Sequence, residues 1–194
     1  VAEPVAPTGT VEAGGSRPVI DLRSLTLGFV AHNFEVKGGP AALEVHRRIR
    51  EVLPDVRLLV AGPEDPDPGL DGVEWLGPKT RDELYAEVYP RIDVFVYPTQ
   101  FDAAPLVLQE ALAHGIPAVV PSILSLPELV RDGETGLLFA EGDVEQATEM
   151  TLRLLRDDAL RRRMGEAAAR DFAARFSAEV RNRTLGAAYR AAVH

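Results

Sequence analysis

Lys37 is one of only two lysines in a chain of 194 residues that also carries 19 arginines, and it stands directly before Gly38-Gly39. Paired glycines let backbone N–H groups approach an anion, the start of a following helix adds a favourable potential, and an ammonium supplies a mobile point charge. A diphosphate suits that combination. A glycine-rich turn beside a solvated lysine is the plain alternative, and the residues alone leave the two even. Two carboxylates form a second group: Asp102 and Glu110 are eight residues apart in TQFDAAPLVLQEALAHG, close enough to border one cleft. Glu110 can accept hydrogen bonds from a ribose diol. Against this stand Asp102 as a helix cap or first-turn charge and Glu110 as a solvated helical position, although Leu106, Leu108, Ala111 and Leu112 crowd Glu110. A third group is Pro127-Glu128, where Glu128 is either a cleft-rim carboxylate or a favourable charge in a first helical turn. Neither a P-loop nor a GxGxxG fingerprint is present, so ATPase and nicotinamide chemistry receive no motif support.

These groups need a frame that brings them to one edge. Apolar runs of strand length at 26–32, 56–62, 73–77, 93–99, 117–120 and 136–139 alternate with helical patterns at about 40–53, 81–89, 105–113 and 127–131. In the first helix Ala42, Val45, Ile49 and Val52 recur at helical spacing, which turns His46, Arg47, Arg48 and Arg50 mostly toward water. The alternation predicts an α/β fold with a mostly parallel sheet covered on both faces. In such sheets ligands bind beyond the carboxyl ends of the strands, where Lys37, Asp102 and Glu128 fall. After residue 142 only helices are expected, at 143–157, 159–173 and 177–191, with Asp143 as a cap and Asp157-Asp158 as a joint. Residues 1–18, VAEPVAPTGTVEAGGSRP, lack periodicity and read as a leader or the remnant of an interdomain linker. The organisation expected is 1–18 leader, 19–142 sheet domain, and 143–194 C-terminal helices packed on the same domain.

Composition narrows the function. With no Cys there is no disulfide framework and no thiol nucleophile, and four scattered His write no metal motif, so no metal site is expected. Residues 1–150 hold 25 acidic and 11 basic side chains and 151–194 hold 5 and 10. The acidic body argues against nucleic acid as a partner. The arginines of the basic tail are spaced as on a solvated helical face, with an anionic membrane surface or an acidic partner domain as the other reading. No apolar run reaches the length of a membrane span and the start of the chain lacks signal-peptide features, so the expected location is cytoplasmic, extending to the inner face of the membrane.

In order, K-G-G (37–39), V-A-G-P (60–63), V-x-W-L-G-P (73–78), D-V-F-V-Y-P-T (93–99), D-x7-E (102–110), E-A-L-A-x-G-x-P-A-V-V (110–120) and P-E-L-V-x-D-G-x-T-G-L-L-F (127–139) resemble the C-terminal, donor-binding domain of a GT-B glycosyltransferase of the retaining family 4 (group 1). The resemblance implies a Rossmann-like three-layer domain with a mostly parallel six-stranded sheet, one half of a GT-B fold. It implies hexosyl transfer with retention from a UDP, GDP or dTDP sugar, with no tightly bound cofactor or metal. The N-terminal GT-B domain of the same full-length protein is the implied partner, and a sugar, lipid-linked or small-molecule compound is the acceptor. Lys37 matches the lysine on the donor diphosphate, Asp102 the first acidic position of the E-x7-E motif near the transferred sugar, and Glu110 the second, on the ribose. Lys37 and Asp102 are the catalytic candidates. Gly38, Leu106, Ser125 and Glu128 complete the donor-binding set.

Four positions depart from that pattern. Asp102 is one methylene shorter than Glu, Ala103-Ala104-Pro105 replaces a Gly-rich stretch, Leu124-Ser125 stands where many members have Gly-Gly, and Ala31 occupies a frequent arginine position. They motivate a competing reading, a catalytically degenerate GT-B domain acting as a binding or scaffolding module. A GT-B epimerase is a third. At about half the length of a two-domain GT-B enzyme, the chain is expected to be a domain fragment, inactive or weakly active alone.

Overall fold

Six short apolar runs form one sheet in which every pairing is parallel: β1 (Thr26–Val30), β2 (Arg57–Ala61), β3 (Val73–Gly77), β4 (Val94–Val96), β5 (Ala118–Pro121) and β6 (Gly136–Phe139), in the spatial order β3-β2-β1-β4-β5-β6. The computed structural model describes residues 24–63, 69–176 and 180. The central strands read as unbroken hydrophobic runs because helices cover both faces: every residue of β4 and β5 is buried. This is the Rossmann-like α/β architecture.

The helices are α1 (Gly39–Arg50), α2 (Arg81–Glu83), α3 (Leu106–Ala113), α4 (Leu126–Leu129), α5 (Val144–Arg156) and α6 (Asp158–Phe176). α1 packs on β1 and β2, and α5 lies beside it under β4, β5 and β6; α3 and α6 pack together, on β5 and β6 respectively. The long C-terminal helices therefore complete both layers. α6 approaches the turn after α3 so closely that a Cβ on Gly165 would overlap the Gly115 carbonyl oxygen. Asp143 caps α5 by accepting from the Gln146 N–H at 2.8 Å, and Asp157 does the same for Leu160 at the start of α6.

Several elements differ from their sequence expectation. α2 runs on as a π turn (Leu84–Val88) and a 3-10 turn (Tyr89–Arg91), because Pro90 has no N–H to continue an α ladder. His46 does not face water: it is 2% exposed, with Nε2 at 3.1 Å from the Val56 carbonyl. Val52 is half exposed instead, since α1 ends at Arg50. The leader at 1–18 lies outside the described residues, as does nearly all of the helix expected at 177–191. No helix among the described residues is long and apolar enough to cross a membrane.

Candidate functional site

From β1 the chain moves outward to β2 and β3, then returns to β4 on the other side of β1. The loops after β1 and β4 consequently part, and the crevice between them is the expected ligand position of such a sheet. Here the two loops are fastened at their bases. Gly38 has φ 79° and ψ 28° at the entry to α1, and a Cβ there would overlap the Pro98 carbonyl oxygen. The Gln100 N–H donates to the Val36 carbonyl at 3.2 Å. Only glycine meets both the left-handed backbone and the close approach.

That fastening delivers Lys37 to Asp102. Lys37 Nζ lies 2.8 Å from Asp102 Oδ2 and donates to the Phe101 carbonyl at 2.9 Å. The Tyr97 hydroxyl donates to the same Oδ2 at 2.8 Å, and the Ala104 N–H donates to Oδ1 at 3.2 Å. Burial works to raise the Asp102 pKa, but Lys37, Tyr97 and Ala104 together outweigh it and hold the carboxyl below its ordinary value. Asp102 is thus an ionised carboxylate with both oxygens engaged. The bond to Ala104 is a local turn two residues on; α3 begins after Pro105 with no side-chain cap.

Glu110, on α3, belongs to a second cluster. Its Oε2 accepts from the Tyr89 hydroxyl at 2.9 Å, and its Oε1 lies 3.0 Å from Nε of Arg81, whose side chain is 73% exposed. The Tyr89 ring stacks on His114 at 4.8 Å and meets Tyr85 edge-on at 5.8 Å, while His114 Nδ1 sits 2.7 Å from the Glu110 carbonyl. Burial, then the Glu110 carboxylate, push the Tyr89 hydroxyl pKa far above its usual value, so it stays a donor. Beside this cluster, beyond the ends of β1 to β3, is a hollow of about 180 Å³ lined by Ala31, His32, Gly62, Pro78, Lys79 and Val107, among others. Both lysines of the chain therefore stand at this edge of the sheet.

The segment after β5 carries Leu124, the one non-glycine residue with positive φ (48°) among those described. The backbone keeps a glycine-like turn although the residue is leucine. Ser125 Oγ next to it is buried and has no hydrogen-bond partner among the described residues. Glu128 is exposed in the first turn of α4, and Leu106 is 68% exposed at the start of α3. Arg131 turns away: it pairs with Asp171 of α6 at 2.7 Å and with Glu134 at 3.7 Å.

The structure therefore joins Lys37, Gly38 and Asp102 in one cluster and places Glu110 in a neighbouring one. Sequence reasoning missed Tyr89, Tyr97, Arg81 and Lys79. A tyrosine inside an apolar run reads as core, and its one legible signal is that a buried hydroxyl must find a partner. No group of three or more metal-ligating side chains is found among the described residues.

The model of a protein family described as glycosyl transferases group 1 matches residues 17–171. An exopolysaccharide phosphotransferase of Streptomyces coelicolor is 43% identical over 112 residues, covering 57% of this chain and 12% of that protein. A D-inositol 3-phosphate glycosyltransferase of Corynebacterium aurimucosum is 32% identical over 174 residues, covering 81% and 41%. The chain thus spans less than half the length of these curated relatives. Among solved structures, sucrose-phosphate synthase from Thermosynechococcus elongatus superposes with TM-score 0.76 at 24% identity, over 88% of this chain and 45% of that one. Anabaena HepE in complex with UDP-glucose gives 0.75 at 16% identity, over 87% and 49%.

Proposed function

The chain belongs to the group 1 glycosyl transferases, and from that premise we propose that it is the donor-binding half of a GT-B, family 4 enzyme that transfers a hexosyl group, with retention, from a nucleoside diphosphate to an acceptor. The observation that carries this reading is the Lys37 ammonium held at the β1/β4 crevice beside the backbone of Gly38-Gly39. A donor diphosphate entering the crevice exchanges the Asp102 contact for its own and gains charge-assisted hydrogen bonds. As the anomeric C–O bond breaks, its electron pair leaves on the diphosphate. Lys37 offsets that charge, the acceptor oxygen forms the new bond, and the acceptor proton passes to the leaving phosphate. Ser125 Oγ, buried and unpartnered among the described residues, supplies a further donor for a phosphate oxygen. Glu110 takes the ribose diol as Arg81 yields, with the base in the adjoining hollow. Leu106 and Glu128 form the rim.

A second domain of the same polypeptide fits the opposite wall of this cleft. HepE and sucrose-phosphate synthase are about twice the length this chain covers. Of the six large apolar side chains exposed among the described residues, four, Val36, Phe101, Leu106 and Leu124, lie beyond the carboxyl ends of the strands. Closure against that domain excludes water from the transferred sugar. Cytoplasmic residence belongs to the same proposal. The competing reading, a module that binds donor without transfer, draws on the Lys37–Asp102 pair: the groups that would do chemistry satisfy each other.

Calorimetric titration of the 194-residue chain with UDP-, GDP- and dTDP-sugars tests the reading. Saturable binding to one class is expected, weakened about tenfold or more by Lys37→Ala and by Glu110→Ala, since hydrogen bonds to charged groups contribute about 1.5–3 kcal/mol. Binding to none of the three, or binding indifferent to both substitutions, refutes it. Transfer assays on the full-length protein then separate an enzyme from a binding module.

A further inference from the structure

Each of the two carboxylates holds one oxygen against the hydroxyl of a tyrosine that is itself 1% exposed: Tyr97 on Asp102 and Tyr89 on Glu110. The resemblance in sequence gave roles to the carboxylates and none to the tyrosines, although Tyr97 lies within the D-V-F-V-Y-P-T run. The tyrosines are fixed by their rings, Tyr97 stacked on Phe95 at 5.8 Å and tilted against Phe29 at 6.1 Å, Tyr89 stacked on His114 and edge-on to Tyr85. The rings hold each phenol oxygen in place, and for Tyr89 the Glu110 carboxylate at 2.9 Å is the nearer and charged acceptor beside the Val107 carbonyl at 3.4 Å, whereas a carboxylate on a loop or helix surface rotates freely about its last torsion.

We infer that Tyr97 and Tyr89 are positioning residues that divide the donor between them, Tyr97 acting on the diphosphate through Asp102 and Lys37, and Tyr89 acting on the ribose through Glu110. The two chains of contact differ in kind. Tyr97 and Lys37 share the single oxygen Asp102 Oδ2, each at 2.8 Å, so the hydroxyl fixes the place from which the ammonium reaches a phosphate. With the hydroxyl removed, Asp102 retains only Lys37 and the Ala104 N–H, and both ends of the ion pair can drift. At Glu110 the partners lie on opposite sides: Oε2 is anchored inward by Tyr89, while Oε1 meets the exposed guanidinium of Arg81. The buried bond is the permanent one and the exposed ion pair is the one that solvent or a diol can replace, because surface pairs contribute little. Tyr89 therefore sets which oxygen Glu110 offers to a sugar diol.

This inference rests on the donor-binding reading, and one set of titrations tells their failures apart. The intact 194-residue chain is titrated with UDP and GDP, each beside its monophosphate and its 2′-deoxy analogue, as wild type, Tyr97→Phe, Tyr89→Phe and Lys37→Ala, and as the Tyr97→Phe/Lys37→Ala double variant. Phenylalanine keeps each ring and removes only the hydroxyl, and a thermal melt of each variant confirms folding. Tyr97→Phe is expected to weaken diphosphate binding about tenfold, to spare the monophosphate, and to add nothing once Lys37 is alanine, the non-additivity of groups acting as one unit. Tyr89→Phe is expected to weaken the ribonucleotides about tenfold and to spare the 2′-deoxy forms. Uniform losses across all ligands, additive losses in the double variant, or no loss in either tyrosine variant overturn the inference while wild-type binding stands. Absence of wild-type binding to both UDP and GDP overturns the inference, because Tyr89 is assigned to a ribose diol, and absence of binding to dTDP as well overturns the donor reading with it.

Discussion

Leu124 offers a direct measure of how strongly the fold insists on the backbone beside the crevice. Its φ of 48° lies in the left-handed region, and its side chain is 54% exposed. An L-residue there costs roughly 1–2 kcal/mol relative to a right-handed conformation, a cost glycine does not bear. Glycine in turn gives up roughly 0.5–1 kcal/mol through the greater freedom of its unfolded chain. Comparing Leu124→Gly with Leu124→Ala cancels the lost side-chain contacts beyond Cβ, which are the same in both. Glycine should then be the more stable of the two by about 0.5–1 kcal/mol. Glu149, exposed in the interior of α5, supplies the opposite case: Glu149→Gly should fall about 1 kcal/mol below Glu149→Ala. For a chain of this size each gap corresponds to about 2 °C in melting temperature, or to a clear separation of urea midpoints at equal m-value. The assay is two pairs of unfolding curves, and the signature is a reversal of sign between the pairs. If Leu124→Gly unfolds with or before Leu124→Ala, the left-handed backbone is not held in solution and the strain argument is wrong.

Two further outcomes follow from burial. His46 is shut in against Val56, and burial holds its pKa below the ordinary 6.5. Its contribution to stability is therefore complete above about pH 6.5 and drains as pH falls toward the folded-state value, because the unfolded chain takes up a proton the folded one refuses. Urea midpoints should drop between pH 7.5 and 5.5, and His46→Gln should shallow that drop; an equal drop in the variant removes His46 as its source. Gly165→Ala would gain about 1 kcal/mol on helix propensity alone, yet its Cβ would overlap the Gly115 carbonyl oxygen. The expected result is a net loss of about 1–3 kcal/mol in chemical denaturation, and a gain would show that α6 does not seat on that turn.

The strands at 73–77 and 136–139 were legible to the residue, and the others to within a few, because an apolar run bounded by Gly, Pro and Asp has little freedom about where it ends. What a single segment could not reveal was its neighbour. Tyr97 to Thr99 continue the apolar run, but pairing in β4 stops at Val96 because the chain must turn toward Asp102. His46 sits among arginines on α1, and only the carbonyl of Val56 makes it a buried residue. The lysine and the two acidic positions were read from the motif pattern, since their spacing along the chain is short or regular. Their partners were not, because Tyr89 and Glu110 are 21 residues apart and meet only where the 3-10 turn that begins at Tyr89 comes up to α3. Leu124 is the inverse case: a residue that argues against a glycine-type turn occupies one, with the surrounding segments determining the backbone.

The approach of Gly38 to Pro98 also bears on how this domain could be altered. With no room for a single methyl between them, and with Gln100 bonded back to Val36, residues 31–38 and 97–102 behave as one inherited block. Changing the donor by grafting loops from a relative would fail if either segment were moved alone, and would require both to be exchanged together with the glycine that joins them.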